Sequence, residues 1–272
     1  MTKYGYCSVQ MPTYRLTIEY EGTRYRGWQE QKNARTVAGE VRQAIEAAAG
    51  EKVELGGSGR TDAGVHALAQ VAHLKTAGKL RREEVLRAAN EALPADIHLL
   101  SLEPAGDRFH ARHTATSRSY VYQISRRRTA LAKRFVWWVR RPLDVGAMRA
   151  GAALLAGRHD FARFCEKPLE QTSTLVVVER CEVDSAGELV LVRVVASHFL
   201  WKMVRRIVGA LVEVGGGTLS LAALEGLLDP AQPATFQPAE TTAPPSGLFL
   251  ERVLYPGDAP LGPVRPVTPI ER

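Results

Sequence analysis

Two β-rich segments joined by a short turn constrain the fold of this chain more than any other local pattern. Residues 175–183 and 188–196 are both rich in valine and leucine, and the tetrapeptide Asp184-Ser185-Ala186-Gly187 separates them. β-Branched runs divided by a short, glycine-containing link predict a β-hairpin, whose two strands are antiparallel. The hairpin therefore argues against a purely parallel α/β sheet.

The rest of the chain alternates between segments with the periodicity of strands and segments with that of helices. Further strands are predicted at residues 14–20, 52–55, 65–74, 97–102, 115–125 and 247–255. Helices are predicted at residues 36–50, 81–93, 144–157 and 198–214, and a short one begins at Ser220. We therefore expect an α+β protein in which helices are layered against a mainly antiparallel sheet.

Length and composition limit the domain organisation and the cellular context. The chain has 272 residues, enough for one large domain or two smaller ones. No apolar run reaches the roughly 18 to 20 residues of a membrane span, and the N-terminus does not resemble a signal peptide, so we expect a cytoplasmic protein without membrane association. Cys7, Cys165 and Cys181 are odd in number and far apart, which favours free thiols over disulfides or a zinc site.

The basic residues are concentrated in one segment of the chain. The formal net charge is +7, and residues 108–141 contain no Asp or Glu. The same segment contains ten cationic residues: Arg108, Arg112, Arg118, Arg126, Arg127, Arg128, Lys133, Arg134, Arg140 and Arg141. Such a stretch either binds a polyanion or is neutralised by acidic residues from elsewhere in the fold. The aromatic residues between the cations favour nucleic acid, because bases stack on such rings.

The loop Gly59-Arg60-Thr61-Asp62-Ala63-Gly64-Val65-His66 is the sharpest candidate for a chemical site. Its glycines allow a tight turn and the close approach of a substrate. Arg60 and Asp62 either form an ion pair or have separate roles, in which the arginine binds a phosphate and the aspartate takes part in the chemical step. The alternative is an aspartate that only hydrogen-bonds the backbone of its own turn.

A second candidate lies on the helix predicted at residues 198–214. Lys202, Arg205 and Arg206 flank its apolar stripe, and one arginine could reach inward to a buried carboxylate or extend along the surface. His110 and His113 have the spacing of a metal-binding pair, but no further ligands accompany them, so we expect no metal. No phosphate-binding loop or nucleophile elbow is present either, so we expect no cofactor.

Several ordered segments resemble the TruA family of tRNA pseudouridine synthases. The motif at 59–66 (GRTDAGVH) is similar to the family's active-site motif, and six further segments follow the family pattern in order. They are 20–29 (YEGTRYRGWQ), 109–112 (FHAR), 115–120 (ATSRSY), 159–161 (HDF), 203–209 (MVRRIVG) and 247–250 (GLFL). Three positions depart from the pattern: Glu21 stands where aspartate is usual, Val176 replaces an arginine, and His113 stands where an aromatic residue is frequent.

The resemblance implies a pseudouridine-synthase fold, in which a mainly antiparallel sheet flanked by helices forms two similar α+β halves around a central cleft. On this basis the chain divides into a flexible N-terminus (1–12), a catalytic half with the Asp62 loop (13–108), a half with the basic RNA-binding segment (109–255) and a Pro-rich tail (256–272). The resemblance also implies a homodimer that isomerises uridines at positions 38, 39 and 40, in the anticodon stem-loop of tRNA, without metal or organic cofactor.

The resemblance also implies roles for individual residues. Asp62 is the catalytic carboxylate, either as a nucleophile at C1′ or as a base at C2′. Arg205 pairs with Asp62, Tyr120 stacks on the target uracil and helps to remove the C5 proton, and Arg60 fills the space of the flipped base or holds a phosphate. The RNA-binding residues expected are Phe109, His110, Arg112, His113, Arg126, Arg127 and Arg128.

Two competing functions remain open from the sequence. A non-catalytic tRNA-binding or chaperone protein would need the basic segment and the aromatic residues but not Asp62. An enzyme with the same chemistry on another RNA would be hard to distinguish, because shape and surface charge determine the choice of RNA.

Overall fold

The computed structural model describes residues 11–166 and 173–270, and within these ranges one mixed sheet organises the chain. Its strands are β1 (Thr13–Tyr20), β2 (Glu54–Gly57), β3 (His66–Lys75), β4 (Ile97–Ala105), β5 (Ser117–Ser125), β6 (Trp137–Trp138), β7 (Gly157–Asp160), β8 (Leu175–Ala186), β9 (Leu189–Ala196) and β10 (Leu248–Leu254). The helices are α1 (Val37–Ala49), α2 (Arg82–Ala92), α3 (Val145–Leu154), α4 (Met203–Gly215) and α5 (Leu221–Gly226). The predicted α+β class is confirmed.

The predicted hairpin is formed by β8 and β9, but its turn is tighter than expected. The strands pair as far as Ala186 and Leu189, so only Gly187 and Glu188 form the turn, instead of the four residues 184–187. Gly187 has a φ of 55°, a left-handed conformation that glycine adopts easily in two-residue hairpin turns. The strand β8 is therefore longer than predicted and also includes Asp184, Ser185 and Ala186.

The order of strands places β10 at the centre of the sheet. Along the main path the order is β4-β1-β3-β10-β5-β9-β8-β7, with β2 beside β3 and β6 beside β5. β10 is parallel to β3 and antiparallel to β5. The strand nearest the C-terminus therefore joins strands from the segments 13–108 and 109–255, whose assignment to two halves stays a prediction.

Local capping explains where most helices begin. Thr36 accepts a hydrogen bond from the backbone N–H of Gly39 at the start of α1, and Gly50 ends that helix in a left-handed conformation. Asp144 caps α3 in the same way. The prediction for α4 was wrong at its start, because the helix begins at Met203 rather than at residue 198. Residues before it are irregular, and Lys202 has a left-handed backbone with a φ of 61°.

Apolar side chains from the strands and from helices α1 to α5 form one large core cluster, to which Ile18 and Ile207 both contribute without solvent exposure. Burial of such a side chain contributes about 1.5–3 kcal/mol. A smaller cluster contains Leu191 and Ile270, so the irregular C-terminal tail packs against the sheet. The Gln123 side chain accepts a hydrogen bond of 2.7 Å from the backbone N–H of Val267 in that tail. The N-terminal segment predicted to be flexible lies, as far as residue 10, outside the described residues.

Other predictions concern membrane spans and thiols. No helix in the described part of the chain is long and apolar enough to cross a membrane. Cys165 and Cys181 are free thiols, as predicted, and Cys7 lies outside the described residues.

Candidate active site

The loop that carries Asp62 connects β2 to β3 and is fixed to the start of β3. The Gln70 side chain donates a hydrogen bond to the carbonyl of Gly59 (3.1 Å) and accepts one from the Ser58 hydroxyl (2.7 Å). The N–H of Val65 donates to the carbonyl of Asp62 (3.2 Å) and closes a turn. The backbone of Asp62 is therefore held by its own turn and by β3.

A second contact holds the same loop from the N-terminal side. The backbone N–H of Trp28 donates to the carbonyl of Thr61 (3.1 Å), and the hydroxyls of Tyr20 and Thr61 are 2.8 Å apart. A Cβ at Gly27 would lie 2.4 Å from the Thr61 carbonyl oxygen, and Gly27 has a φ of 89°. Only glycine permits this close approach.

The carboxylate of Asp62 receives two hydrogen-bond donors from the region where α4 begins. Arg205 donates from a guanidinium nitrogen to Oδ2 (3.3 Å), and Trp201 donates from its indole Nε1 to Oδ1 (3.1 Å). The Asp62 side chain retains 25% of its solvent exposure and that of Arg205 retains 14%. A carboxylate fixed by two donors and still open to solvent on one side is suited to contact a reacting atom.

Arg205 itself is held by a segment that precedes β10. Its Nε donates to the carbonyl of Ala243 (2.7 Å), and its own carbonyl accepts from the Ala243 N–H (3.1 Å). The helix can approach this segment because position 209 is glycine, where a Cβ would lie 1.8 Å from the Thr241 carbonyl oxygen. The neighbouring Arg206 turns the other way and pairs with Glu166. Of the two arginines that the sequence left open, the structure places Arg205 on Asp62.

Tyr120 lies on β5 and is 8% exposed. Its ring meets the ring of Phe199 edge-on, with centroids 5.0 Å apart. Burial raises the pKa of the Tyr120 phenol well above its usual value, and the nearby Tyr20 and Asp62 raise it further. Tyr120 is therefore a neutral ring near the Asp62 carboxylate at physiological pH, and its hydroxyl is a poor base.

Arg60, by contrast, is exposed and makes no contact with the Asp62 carboxylate in the described structure. Its Nε donates to the side-chain oxygen of Gln29 (3.2 Å). The structure thus separates the two charged residues of the loop: Asp62 faces α4, whereas Arg60 is directed to solvent. The two residues therefore do not form an ion pair, which agrees with the alternative that Arg60 and Asp62 have separate roles.

The first group of predicted RNA-binding residues lies in the loop between β4 and β5. The rings of His110 and His113 have centroids 4.3 Å apart, and His110 also lies 4.2 Å from the buried His73. Phe109 packs against Tyr255 with ring centroids 5.4 Å apart. These three residues are thus partly occupied by packing among themselves and with the sheet.

Arg118 connects this loop to the Asp62 loop. Its guanidinium donates to the carbonyls of Arg112 (2.6 Å), Ser58 (3.0 Å) and Ser197 (2.8 Å). The Arg112 side chain is exposed. Sequence reasoning counted Arg118 only among the surface cations, whereas it is 9% exposed and fixes three loops around the site.

The second group, Arg126, Arg127 and Arg128, follows β5 directly in the chain. Arg126 donates to the carbonyl of Gly187, and Arg127 donates to the carbonyl of Arg128 (3.3 Å). The basic segment is neutralised in part, because Arg134 lies 3.8 Å from Glu21 and Arg141 lies 2.6 Å from Glu213. Neutralisation by acidic residues from elsewhere in the fold thus applies to part of the basic segment.

Trp201 is a contact of the site that the sequence did not indicate, and His66, the last residue of the predicted loop motif, has partners that the sequence did not indicate. His66 is buried, accepts a hydrogen bond at Nδ1 from the Gly22 N–H (3.0 Å), and its Nε2 lies 2.9 Å from the carbonyl of Arg134. Burial lowers the pKa of His66, which favours the neutral ring with the proton on Nε2. No local signal identified Trp201, because its contact joins residues that are 139 positions apart in the chain.

The departure at Val176 is explained by packing, since this side chain is 1% exposed within the core. Across the described ranges 11–166 and 173–270, no three side chains of His, Cys, Asp or Glu are grouped so that they could hold a metal ion.

The described chain thus combines a fixed carboxylate paired with arginine, a neutral tyrosine near it and a basic segment, all within an α+β fold. A family model described as tRNA pseudouridine synthase matches residues 16–113 and 152–256. The chain belongs to the tRNA pseudouridine synthase family, whose members are isomerases.

Curated relatives agree with this assignment over nearly their whole length. A tRNA pseudouridine synthase A from Mesorhizobium japonicum is 43% identical over 251 residues, covering 90% of this chain and 100% of the relative. Proteins of the same name from Afipia carboxidovorans and Brucella ovis are 41% and 40% identical, and each alignment covers 90% of this chain. A solved Cbf5-Nop10-Gar1 complex contains a chain with 12% identity and a TM-score of 0.29, covering 73% of this chain and 54% of its own, a similarity that adds nothing to the assignment.

Proposed function

We propose that this protein converts uridine to pseudouridine in the anticodon stem-loop of tRNA, at positions 38, 39 and 40, with Asp62 as its catalytic carboxylate. The observation that carries the proposal is the Asp62 carboxylate, which is held by Arg205 and Trp201 and lies close to the neutral ring of Tyr120. Family membership supplies the reaction, and the geometry supplies the group that performs it.

The reaction breaks the N1–C1′ bond of uridine, turns the uracil and joins C5 to C1′. Asp62 either attacks C1′ and forms a covalent intermediate, or removes the C2′ proton to give a glycal. In both routes the carboxylate must be aimed at the ribose, and the hydrogen bond from Arg205 restrains its orientation. The described contacts are compatible with both routes.

Access to the C1′ atom requires the uridine to leave the base stack. Unstacking costs a few kcal/mol, which contacts to the rest of the RNA must offset. Tyr120 offers an aromatic face for the extruded uracil, and such stacking contributes about 1–3 kcal/mol without reading the sequence. Arg60, which is exposed on the same loop, fills the vacated position or binds a phosphate.

Binding of the tRNA involves residues on both sides of the site. The exposed Arg112, together with Phe109, His110 and His113, forms one contact surface, and Arg118 ties it to the Asp62 loop. Residues 126–128 form a second contact surface after β5. A homodimer would allow one tRNA to contact both subunits, and sedimentation equilibrium of the purified protein tests this state. A cytoplasmic location follows from a tRNA substrate.

The experiment that tests the substrate assignment uses tRNA transcripts with a single uridine at position 38, 39 or 40 and cytidine at the other two. After incubation, chemical mapping locates pseudouridine at single-nucleotide resolution. We expect modification at each of the three positions and none at other uridines. Modification only outside the anticodon stem-loop would contradict the proposed substrate while leaving the reaction class intact.

A further inference from the structure

The segment that follows β5 encloses a basic hollow of about 350 Å³, lined by Arg128, Thr129, Ala130, Lys133, Val136 and Trp138. The guanidinium of Arg140 lies 5.0 Å from the centre of the Trp138 ring, and that of Arg128 lies 5.7 Å from it. Cations held over an indole are kept in a restricted geometry while their N–H groups remain available.

These cations have no acidic neighbour that would neutralise them. Among the residues that the structure describes, no carboxylate lies within ion-pair distance of Arg128, Lys133 or Arg140, whereas the nearby Arg134 and Arg141 do have such partners. Arg128 and Lys133 line the hollow and Arg140 lies over its Trp138 ring, and unneutralised cations in this arrangement favour an anion with several oxygens, such as a phosphate.

An apolar residue projects from the same loop. Leu131 lies between Thr129 and Lys133 in the chain and is 96% exposed, more than any other large apolar residue in the described ranges. Isolated exposed leucines are common, but one placed among phosphate-binding cations can pack against a ribose or wedge against a base.

The hollow lies beside β5, the strand that also carries Tyr120. Trp138 on β6 pairs with Ser125 on β5. Ser125 lies five residues from Tyr120 along β5. At about 3.3 Å per residue the separation is roughly 16 Å, a span of several nucleotides. The hollow also lies outside the residues 16–113 and 152–256 that match the family model.

We propose that this hollow is a phosphate-binding subsite for the backbone of the tRNA, with Leu131 packing against a neighbouring ribose or base. The proposal rests on the proposed function only in that tRNA is the substrate. It adds a contact that the catalytic residues do not explain.

The test is the affinity for unmodified tRNA at several salt concentrations, measured by filter binding. The variant is Arg128→Gln/Lys133→Gln, and its matched control is Arg82→Gln/Arg87→Gln, which removes the same charge from exposed positions of α2. We expect roughly 10-fold weaker binding for the hollow variant and a salt dependence reduced by about 1 to 2 counterions. The control should bind like the wild type.

Equal binding by the hollow variant and the control would overturn the proposal. Leu131→Ser should weaken binding without changing the salt dependence, and an unchanged affinity would remove Leu131 from the subsite. These outcomes are independent of catalysis, because binding is measured without turnover. A wild-type protein that binds tRNA at the hollow but forms no pseudouridine would contradict the proposed function alone.

A second inference rests on a different observation, the hydrogen bond from Trp201 to Asp62. The indole is 47% exposed, yet its only polar atom is used on the carboxylate. The helix α4 begins immediately after Lys202, whose φ of 61° is the only left-handed value of a non-glycine residue in the described chain. The Lys202 ammonium lies 5.3 Å from the Trp201 ring and 3.3 Å from Glu166. Backbone strain of this kind often accompanies function.

We infer that Trp201 is a positioning residue that fixes the orientation of the Asp62 carboxylate, so that Arg205 and Trp201 each restrain one oxygen. This inference depends on the proposed catalytic role of Asp62. Trp201→Phe keeps the ring and removes the donor, and we expect kcat to fall roughly 10-fold while KM for tRNA changes less than about twofold.

Thermal unfolding of Trp201→Phe should match that of the wild type, because the side chain is half exposed. A wild-type kcat, or a loss confined to KM, would overturn the positioning role. A variant Asp62→Asn with full activity would instead contradict the proposed function. The two failures are therefore distinguishable.

Discussion

Replacement of Arg205 by glutamine tests how the ion pair at the site contributes to the reaction. The pair joins a guanidinium nitrogen to Asp62 Oδ2 over 3.3 Å, and both side chains are largely buried. At an effective dielectric constant of about 20 the Coulomb attraction over this distance is about 5 kcal/mol, an upper limit before desolvation. A hydrogen bond to a charged group contributes about 1.5–3 kcal/mol net. If this contribution is needed in the transition state, Arg205→Gln slows the chemical step roughly 10- to 150-fold.

Single-turnover formation of pseudouridine with saturating enzyme measures that step directly. The matched control is Arg206→Gln, because Arg206 is the adjacent arginine on α4 and pairs with Glu166 instead of Asp62. Because Arg206 is buried, we expect Arg206→Gln to lower the free energy of unfolding by about 1.5–3 kcal/mol and to leave the chemical step within about threefold of the wild type. An equal loss of rate in both variants would refute the specific role of the Arg205 pair.

Three further predictions concern residues around the same site. Tyr120→Phe should retain most of the activity, whereas Tyr120→Leu should lower kcat roughly 5- to 150-fold. The reason is that the raised pKa keeps the Tyr120 phenol neutral, so that stacking is its main contribution. A severe defect in Tyr120→Phe would instead favour proton transfer by the hydroxyl. Arg60→Ala should lower kcat more than tRNA affinity in steady-state and binding assays, whereas equal losses would indicate simple phosphate binding. Burial lowers the pKa of His66 below its usual 6.5. Below about pH 6.5 the folded protein therefore binds fewer protons at this residue than the unfolded chain does. The free energy of unfolding should then fall as the pH drops through this range. Urea unfolding at pH 7.5 and 5.5 checks this, and a His66→Gln variant should lose less stability over that range than the wild type.

Elements with local signals were predicted well from the sequence. The helix α1 begins after Thr36 and ends at Gly50, as expected, because both residues stabilise helix ends through their own hydrogen bonding or backbone freedom. The hairpin of β8 and β9 was predicted because β-branched residues flank a glycine-containing turn. These signals act within a few residues, so they survive in any tertiary context.

Features that depend on distant contacts were not predicted from residue patterns. The apolar stripe, which includes Phe199, predicts a helix that begins before Phe199. Lys202 instead has a left-handed backbone, and α4 begins at Met203, the residue that follows it. The two-residue strand β6 has no pattern of its own and exists because it pairs with β5. Asp62 and Arg205 are 143 residues apart, so only the resemblance to a known family could bring them together in advance. The burial of Arg118 was not predicted either, because it depends on three loops that meet only in the folded chain.

The most direct test of the central claim is tritium release from tRNA labelled at C5 of uridine, measured for the wild type and for Asp62→Asn without added metal or cofactor. The substitution preserves size and removes the charge, so the variant should still bind tRNA. We expect release by the wild type and none above background by Asp62→Asn. Substantial release by the variant would contradict the assignment of Asp62 as the catalytic carboxylate. Absence of release by both proteins despite tight tRNA binding would contradict catalysis itself and favour a non-catalytic tRNA-binding protein.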